Sequence, residues 1–241
     1  MKLIIFILLF SLTIYADTCP KQVKIAVIDT GFGYKGHGKG AKLCVDGHKD
    51  FTAKTTGVPK DNIGHGTNVV GLIEKSLKTV NYCIIVIKYY HPASEIIVGW
   101  ENLESTIQAF DYVAKIKPEY VNYSSGGSDP SPRERRAVER YLNGGGTLVT
   151  AAGNDDKELG KNVYSGYYPA MYDKRIVVVG NLNANRTRQA VSNYGKLVNR
   201  WEIGQNATAY GIKMSGTSQA AAIATGKIVL ENSKKCDIGK Q

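Results

Sequence analysis

Three side chains in this sequence have the chemistry of an acyl-transfer site: a carboxylate at Asp29, an imidazole at His65 and a hydroxyl at Ser218. Serine is a weak nucleophile at neutral pH, so it needs a base within hydrogen-bond reach. The base in turn needs a partner that fixes its tautomer and stabilises its protonated form. Asp29, His65 and Ser218 supply those roles of orienting acid, base and nucleophile. Such a site also needs donors aimed at the negative oxygen that develops on the attacked carbonyl. Asn154 offers a side-chain amide for this, with the backbone N–H of Ser218 as a second donor. Ser124-Ser125-Gly126-Gly127 is a side-chain-poor edge to which an extended peptide can add as a strand.

Each group stands where an element is expected to end. Val23 to Ile28 is an apolar strand run that stops at Asp29-Thr30-Gly31, and an acid at the end of such a strand is where open α/β sheets place their chemistry. A Gly turn at Gly64 leads through His65 into a helical apolar pattern reaching about Leu77. Ser218 opens an Ala-rich helix, whose free N–H groups and positive dipole end favour negative charge. Between them, strands at Ile84–Ile87, Tyr120–Tyr123, Thr147–Ala151 and Ile176–Gly180 alternate with helices at Trp100–Ile116 and Pro132–Leu142. A further short strand is expected near Cys44-Val45. This βαβ spacing predicts an α/β fold, a doubly wound and mostly parallel sheet with helices on both faces, in a single domain. Taken alone, each motif has an ordinary reading: a Ser/Thr helix cap, a turn histidine, a Gly-Asn turn. The order acid, base, amide, serine at the ends of alternating elements is what favours an enzyme.

Residues 1–16, a basic start followed by a short apolar run ending at Ala16, read as a secretory signal, which leaves residues 17–241 as the folded domain. The apolar run is short for a membrane span, and stable membrane insertion is not expected. Four cysteines, Cys19, Cys44, Cys83 and Cys236, all follow the signal and lack zinc-type spacing, so two disulfides are expected with the pairing left open. Export to a periplasm or a medium is the expected destination. The formal charge of +10 is spread without the interleaved aromatics of a nucleic-acid face, so no nucleic-acid partner is expected. Three Asn-x-Ser/Thr triplets, at Asn122, Asn185 and Asn206, are glycosylation acceptors if the route is eukaryotic.

Ile28-Asp29-Thr30-Gly31, His65-Gly66-Thr67, Ala151-Ala152-Gly153-Asn154 and Gly216-Thr217-Ser218 together resemble the Asp, His, oxyanion-Asn and Ser blocks of the subtilisin-like serine proteases. Tyr168-Pro169-Ala170 and Ser192-Asn193-Tyr194-Gly195 extend that likeness over nearly the whole of residues 17–241. The resemblance implies a peptidase acting on protein or peptide substrates. Asp29 would orient His65, Asn154 would line the oxyanion hole, and Ala152, Gly153 and Ser124–Gly127 would line the substrate. It places Tyr167 at the floor of the first specificity pocket, usually a small residue, which predicts a shallow pocket and weak cleavage after large aromatics.

The chain departs from the family pattern at Asn68 (usually His), Gln219 (usually Met) and Ala222 (usually Pro), and the last change is expected to straighten the serine helix. Only residues 17–28 separate the signal from Asp29, which leaves no room for the usual propeptide. The calcium-binding loop of many relatives is replaced by the short Leu77–Val80 connection, and no metal or other cofactor is expected. Two rival readings stand beside the peptidase. One is a catalytically silent relative serving as a binding or regulatory module. The other is an aspartic protease on Asp29-Thr30-Gly31, which would leave His65 and Ser218 unexplained.

Overall fold

A computed structural model describes residues 22–33, 41–90 and 95–238. The signal-like segment 1–16 and Cys19 lie outside them. In chain order the elements are β1 (Val23–Asp29), β2 (Lys49–Asp50), α1 (His65–Lys75), β3 (Tyr82–Lys88), α2 (Glu95–Ile116), β4 (Tyr120–Tyr123), α3 (Pro132–Asn143), β5 (Thr147–Ala151), β6 (Val177–Leu182), β7 (Arg200–Ile203), β8 (Ala207–Ala209), β9 (Ile212–Met214) and α4 (Thr217–Ile238).

Seven strands form one sheet in the order β2-β3-β1-β4-β5-β6-β7, every neighbouring pair parallel. A parallel sheet must be covered on both faces, and the runs that form it are accordingly near-continuous in apolar residues. All seven residues of β3 are buried. Alternate side chains serve opposite layers. Ala26, Ile28, Ile85 and Val121 pack under Phe110 of α2 and Val138 of α3, whereas Ile25, Val27 and Ile84 pack under Val70 and Ile73 of α1 and Val229 of α4. Each fully buried Ile contributes about 1.5–3 kcal/mol. Among the described residues no helix is long and apolar enough to cross a membrane.

The connection from β1 runs through α1 to β3 on one side, while β4 lies on the other side of β1 and leads away to β5. The strand order therefore reverses between β1 and β4, the position at which open α/β sheets bind ligands beyond the carboxyl ends of their strands. Ile28 is in register with Tyr123, so Asp29 and Ser124 leave the sheet side by side.

Some expectations shift. The short second strand is Lys49–Asp50, while the Cys44 region makes only a single bridge, from Leu43 to Ile84. The edge strand β7 and the β8–β9 hairpin carry no apolar run or alternation strong enough to announce them. Cys44 and Cys83 form a disulfide, with Cα atoms 4.9 Å apart, that ties this connection to β3. Cys236 is also disulfide-bonded.

Candidate active site

Asp29 is the last residue of β1 and is 3% exposed. Its Oδ1 lies 2.7 Å from His65 Nδ1, the first residue of α1, and also accepts the Thr30 N–H at 2.7 Å. The imidazole side chain is 27% exposed, so it meets the buried acid on one side and solvent on the other. The Asp29 charge raises the His65 pKa above the usual imidazole range, against the opposing effect of burial.

The start of α1 has no cap of its own, since Gly64 at the N-cap is in the left-handed region (φ 95°) and has no side chain. Asp61 supplies the cap instead. Its Oδ1 accepts from the N–H groups of Ile63 and Gly64, both at 2.9 Å, and from Thr30 Oγ1 at 3.0 Å. Its Oδ2 accepts from the Thr67 N–H at 2.9 Å and the Thr67 hydroxyl at 2.6 Å. Thr30 Oγ1 in turn accepts the Gly66 N–H. Asp61 thus clamps the ends of β1 and α1 together and sets the Asp29–His65 pair. Burial pushes its carboxyl up, but the hydrogen bonds outweigh burial and hold it below the usual range. Glycine at 66 is needed for this approach, because a Cβ there would sit 2.3 Å from the Gly31 carbonyl oxygen.

Ser218 lies in the first turn of α4, where its N–H has no intrahelical acceptor. The loop after β5 is locked to this turn. The Gly153 N–H donates to Thr217 Oγ1 at 3.2 Å, and the Thr217 N–H donates to Asn154 Oδ1 at 3.0 Å. Because an N–H must meet the amide oxygen, the Asn154 NH2 group is the end left free, and Asn154 is exposed. Fully buried Asn193 braces the loop, donating to the Ala152 carbonyl at 2.8 Å and accepting from the N–H groups of Asp155 and Lys157.

Ser218 and Ser124 are cross-linked reciprocally. Ser218 Oγ donates to the Ser124 carbonyl at 2.8 Å, and Ser124 Oγ donates to the Ser218 carbonyl at 2.9 Å. The nucleophile candidate's single proton therefore points at Ser124 and not at His65. Asn122, fully buried, donates to Ser124 Oγ, which removes it from the possible glycosylation acceptors.

Of the proposed peptide edge, Gly127 is already paired, its N–H and C=O both bonded to Tyr168. Gly126 makes no backbone hydrogen bond among the described residues and keeps a free edge. The Tyr167 ring stands between the two substrate-lining segments. A Cβ on Gly126 would lie 2.6 Å from it, and one on Gly153 would lie 2.8 Å from it. The slot between Gly126 and Gly153 is therefore filled by this ring.

Two of the unusual residues belong together. Gln219 Nε2 donates to Asn68 Oδ1 at 3.2 Å, and Asn68 Nδ2 donates to the carbonyls of Ala207 and Ile212. This buried pair ties α1, α4 and the β8–β9 hairpin together directly behind His65 and Ser218. Ala222 is fully buried inside α4, which runs uninterrupted from Thr217 to Ile238. Asp61 is the residue that reading for nucleophiles and bases overlooks. Its signal was an Asp three residues ahead of a capless Gly64.

The Subtilase family profile matches residues 20–235. The chain is 30% identical over 226 residues to "Major intracellular serine protease" of Bacillus subtilis (strain 168), an alignment covering 87% of this chain and 68% of that protein. It is 28% identical over 232 residues to "Extracellular serine proteinase" of Thermus sp. (strain Rt41A), covering 88% of this chain but 54% of that one, so it spans about half of some relatives. A cold adapted subtilisin-like serine proteinase of known structure superimposes with a TM-score of 0.70 at 25% identity, covering 88% of this chain and 76% of that one. Taken with the seven-stranded parallel sheet and the groups gathered at its switch point, these matches place the chain in the subtilase family of serine endopeptidases.

Proposed function

We propose that this protein is an exported serine endopeptidase that hydrolyses peptide bonds through Asp29, His65 and Ser218, with Asn154 and the Ser218 N–H holding the oxyanion. The observation that supports the reading is the 2.7 Å Asp29–His65 pair at the end of β1, with Ser218 bonded to Ser124 just past the end of the neighbouring strand β4. Export is supported by the signal-like residues 1–16 and by the Cys44–Cys83 disulfide, which persists in oxidising compartments.

In the resting arrangement the Ser124 carbonyl is occupied by the Ser218 hydroxyl. An extended peptide pairing along Gly126 would bring an N–H to that carbonyl and displace the hydroxyl. Rotation about one Cα–Cβ bond, between staggered rotamers, then turns Oγ toward the imidazole. His65 takes the proton, Oγ attacks the scissile carbonyl, and Asn154 and the Ser218 N–H donate to the oxygen that becomes negative. His65 next returns the proton to the departing amine, and water repeats the cycle on the acyl-enzyme. Asp29 holds the imidazole in the tautomer with Nδ1 protonated and stabilises its charged form. With Tyr167 filling the slot beside Gly126 and Gly153, the residue before the scissile bond is expected to be small.

The test is labelling with a fluorophosphonate probe. Wild-type protein is expected to be labelled and the folded Ser218→Ala variant not. Unlabelled wild-type protein with native secondary structure would support the silent binding module instead.

A further inference from the structure

A cavity of about 570 Å³ lies beside the free peptide edge, with Ser125, Gly126, Tyr89, Tyr123, Asp129 and Glu134 among its walls. It has two carboxylates and, among the described residues, no lysine, arginine or histidine. That is unusual on a chain whose formal charge is +10. Glu134 is 5% exposed. It stands three residues after Ser131, the N-cap of α3, in a Ser-x-x-Glu arrangement, and its N–H does donate to Ser131 Oγ. In a capping box the Glu side chain would return a bond to the Ser131 N–H. Here that N–H donates to Tyr172 Oη at 2.8 Å, and the Tyr172 hydroxyl donates to Glu134 Oε2 at 2.6 Å. The tyrosine thus serves the cap, and Oε1 is released from it.

Oε1 accepts no hydrogen bond within the described residues. No enclosed side-chain oxygen or nitrogen among them lacks a partner, so Oε1 must be reached from the cavity it lines. A buried carboxylate with one hydrogen bond, held in a wall of tyrosines and uncharged short side chains, is costly without a cation. Burial accordingly raises its pKa above the usual carboxylate range.

We propose that this cavity is a subsite for the cationic side chain of a peptide residue, arginine or lysine, with Glu134 Oε1 as its partner. The proposal rests on the peptide-cleaving reading above. An extended strand advances about 3.3 Å per residue, so a peptide anchored at Ser124 reaches the cavity beyond Gly126 a few residues from the scissile bond. Glu134 would then set a second specificity, for charge, alongside the small-residue preference imposed by Tyr167.

The test uses full-length Ser218→Ala protein and fluorescent peptides that place arginine, or its uncharged near-isostere citrulline, at each of five positions on either side of a Gly-Ser bond. At one position arginine is expected to bind about tenfold more tightly than citrulline, the scale of a charge-assisted hydrogen bond, with the advantage lost when E134Q is added. Arginine and citrulline binding alike at every position, or no saturable binding by any peptide, overturns the subsite. Either result counts against it whether or not the wild-type protein reacts with the fluorophosphonate probe, and the arginine-citrulline comparison stands without the E134Q variant should that variant fail to fold.

Discussion

At the scale of single residues, the base, its cap and the pocket floor each make a measurable claim. The proposed mechanism needs neutral His65, and Asp29 raises its pKa above the ordinary value of 6.5. The acidic limb of kcat/KM is therefore expected to have its midpoint above about 6.5, and a midpoint below about 6 would contradict the pairing. The linked stability has the matching sign. The charged His65–Asp29 pair stabilises the fold fully below the unfolded value of about 6.5 and loses that contribution as pH rises through the raised folded value. For Asp61, Asp61→Ala removes the cap that α1 lacks at Gly64 and frees Thr67, which is expected to cost about 2 kcal/mol or more in urea unfolding. The same variant should lower kcat more than it raises KM, since the clamp orients His65 and touches no substrate. Tyr167→Gly empties the slot between Gly126 and Gly153. It should raise kcat/KM for phenylalanine before the scissile bond by about tenfold or more, and an unchanged preference would show that the ring does not bound the pocket.

At the scale of elements, the candidate site is an arrangement of ends. β1 delivers Asp29, the start of α1 delivers His65, the turn after β5 delivers Asn154, and the first turn of α4 delivers Ser218. These ends are fastened to one another by bracing side chains: Asp61 between β1 and α1, Thr217 and Asn193 around the loop after β5, and Ser124 between β4 and α4. The Asn68–Gln219 pair explains two departures from the family pattern at once. Without Gln219 the buried Asn68 Oδ1 would lose its donor, at about 1–3 kcal/mol, although Asn68 Nδ2 would keep the Ala207 and Ile212 carbonyls; together the two residues complete the set and hold the hairpin. The edge strand β7 was not legible because Arg200 and Glu202 serve as ion-pair partners of Glu231 and Lys227 on α4, so its residues follow the demands of an edge rather than a core.

At the scale of the whole molecule, apolar clusters on both faces of the sheet, one under α2 and α3 and two under α1 and α4, hold it together, and a covalent tie reinforces the side of the sheet farthest from α4's partners β5 to β7. The Cys44–Cys83 link closes a loop of sequence separation 39, which chain entropy values at about 4 kcal/mol. Reduction is expected to lower Tm by on the order of 10 °C. A chelator is expected to leave Tm unchanged, and the reverse pattern, sensitivity to chelator but not to reductant, would return stabilisation to a bound cation.

The amino-acid order by itself determined the fold class and nominated the candidate reacting groups. Apolar runs of strand length alternating with helical periodicity permit little besides a doubly wound sheet, and only certain residue types can serve as acid, base, nucleophile and amide donor. Chain order could not reveal that Asp61 caps a helix lacking a cap of its own, that Asn68 and Gln219 meet across 151 positions, or that Glu134 yields its capping bond to Tyr172. Those are contacts between elements, created when strands and helices pack. Only tertiary structure decides which polar groups end up satisfied and which are left facing a cavity.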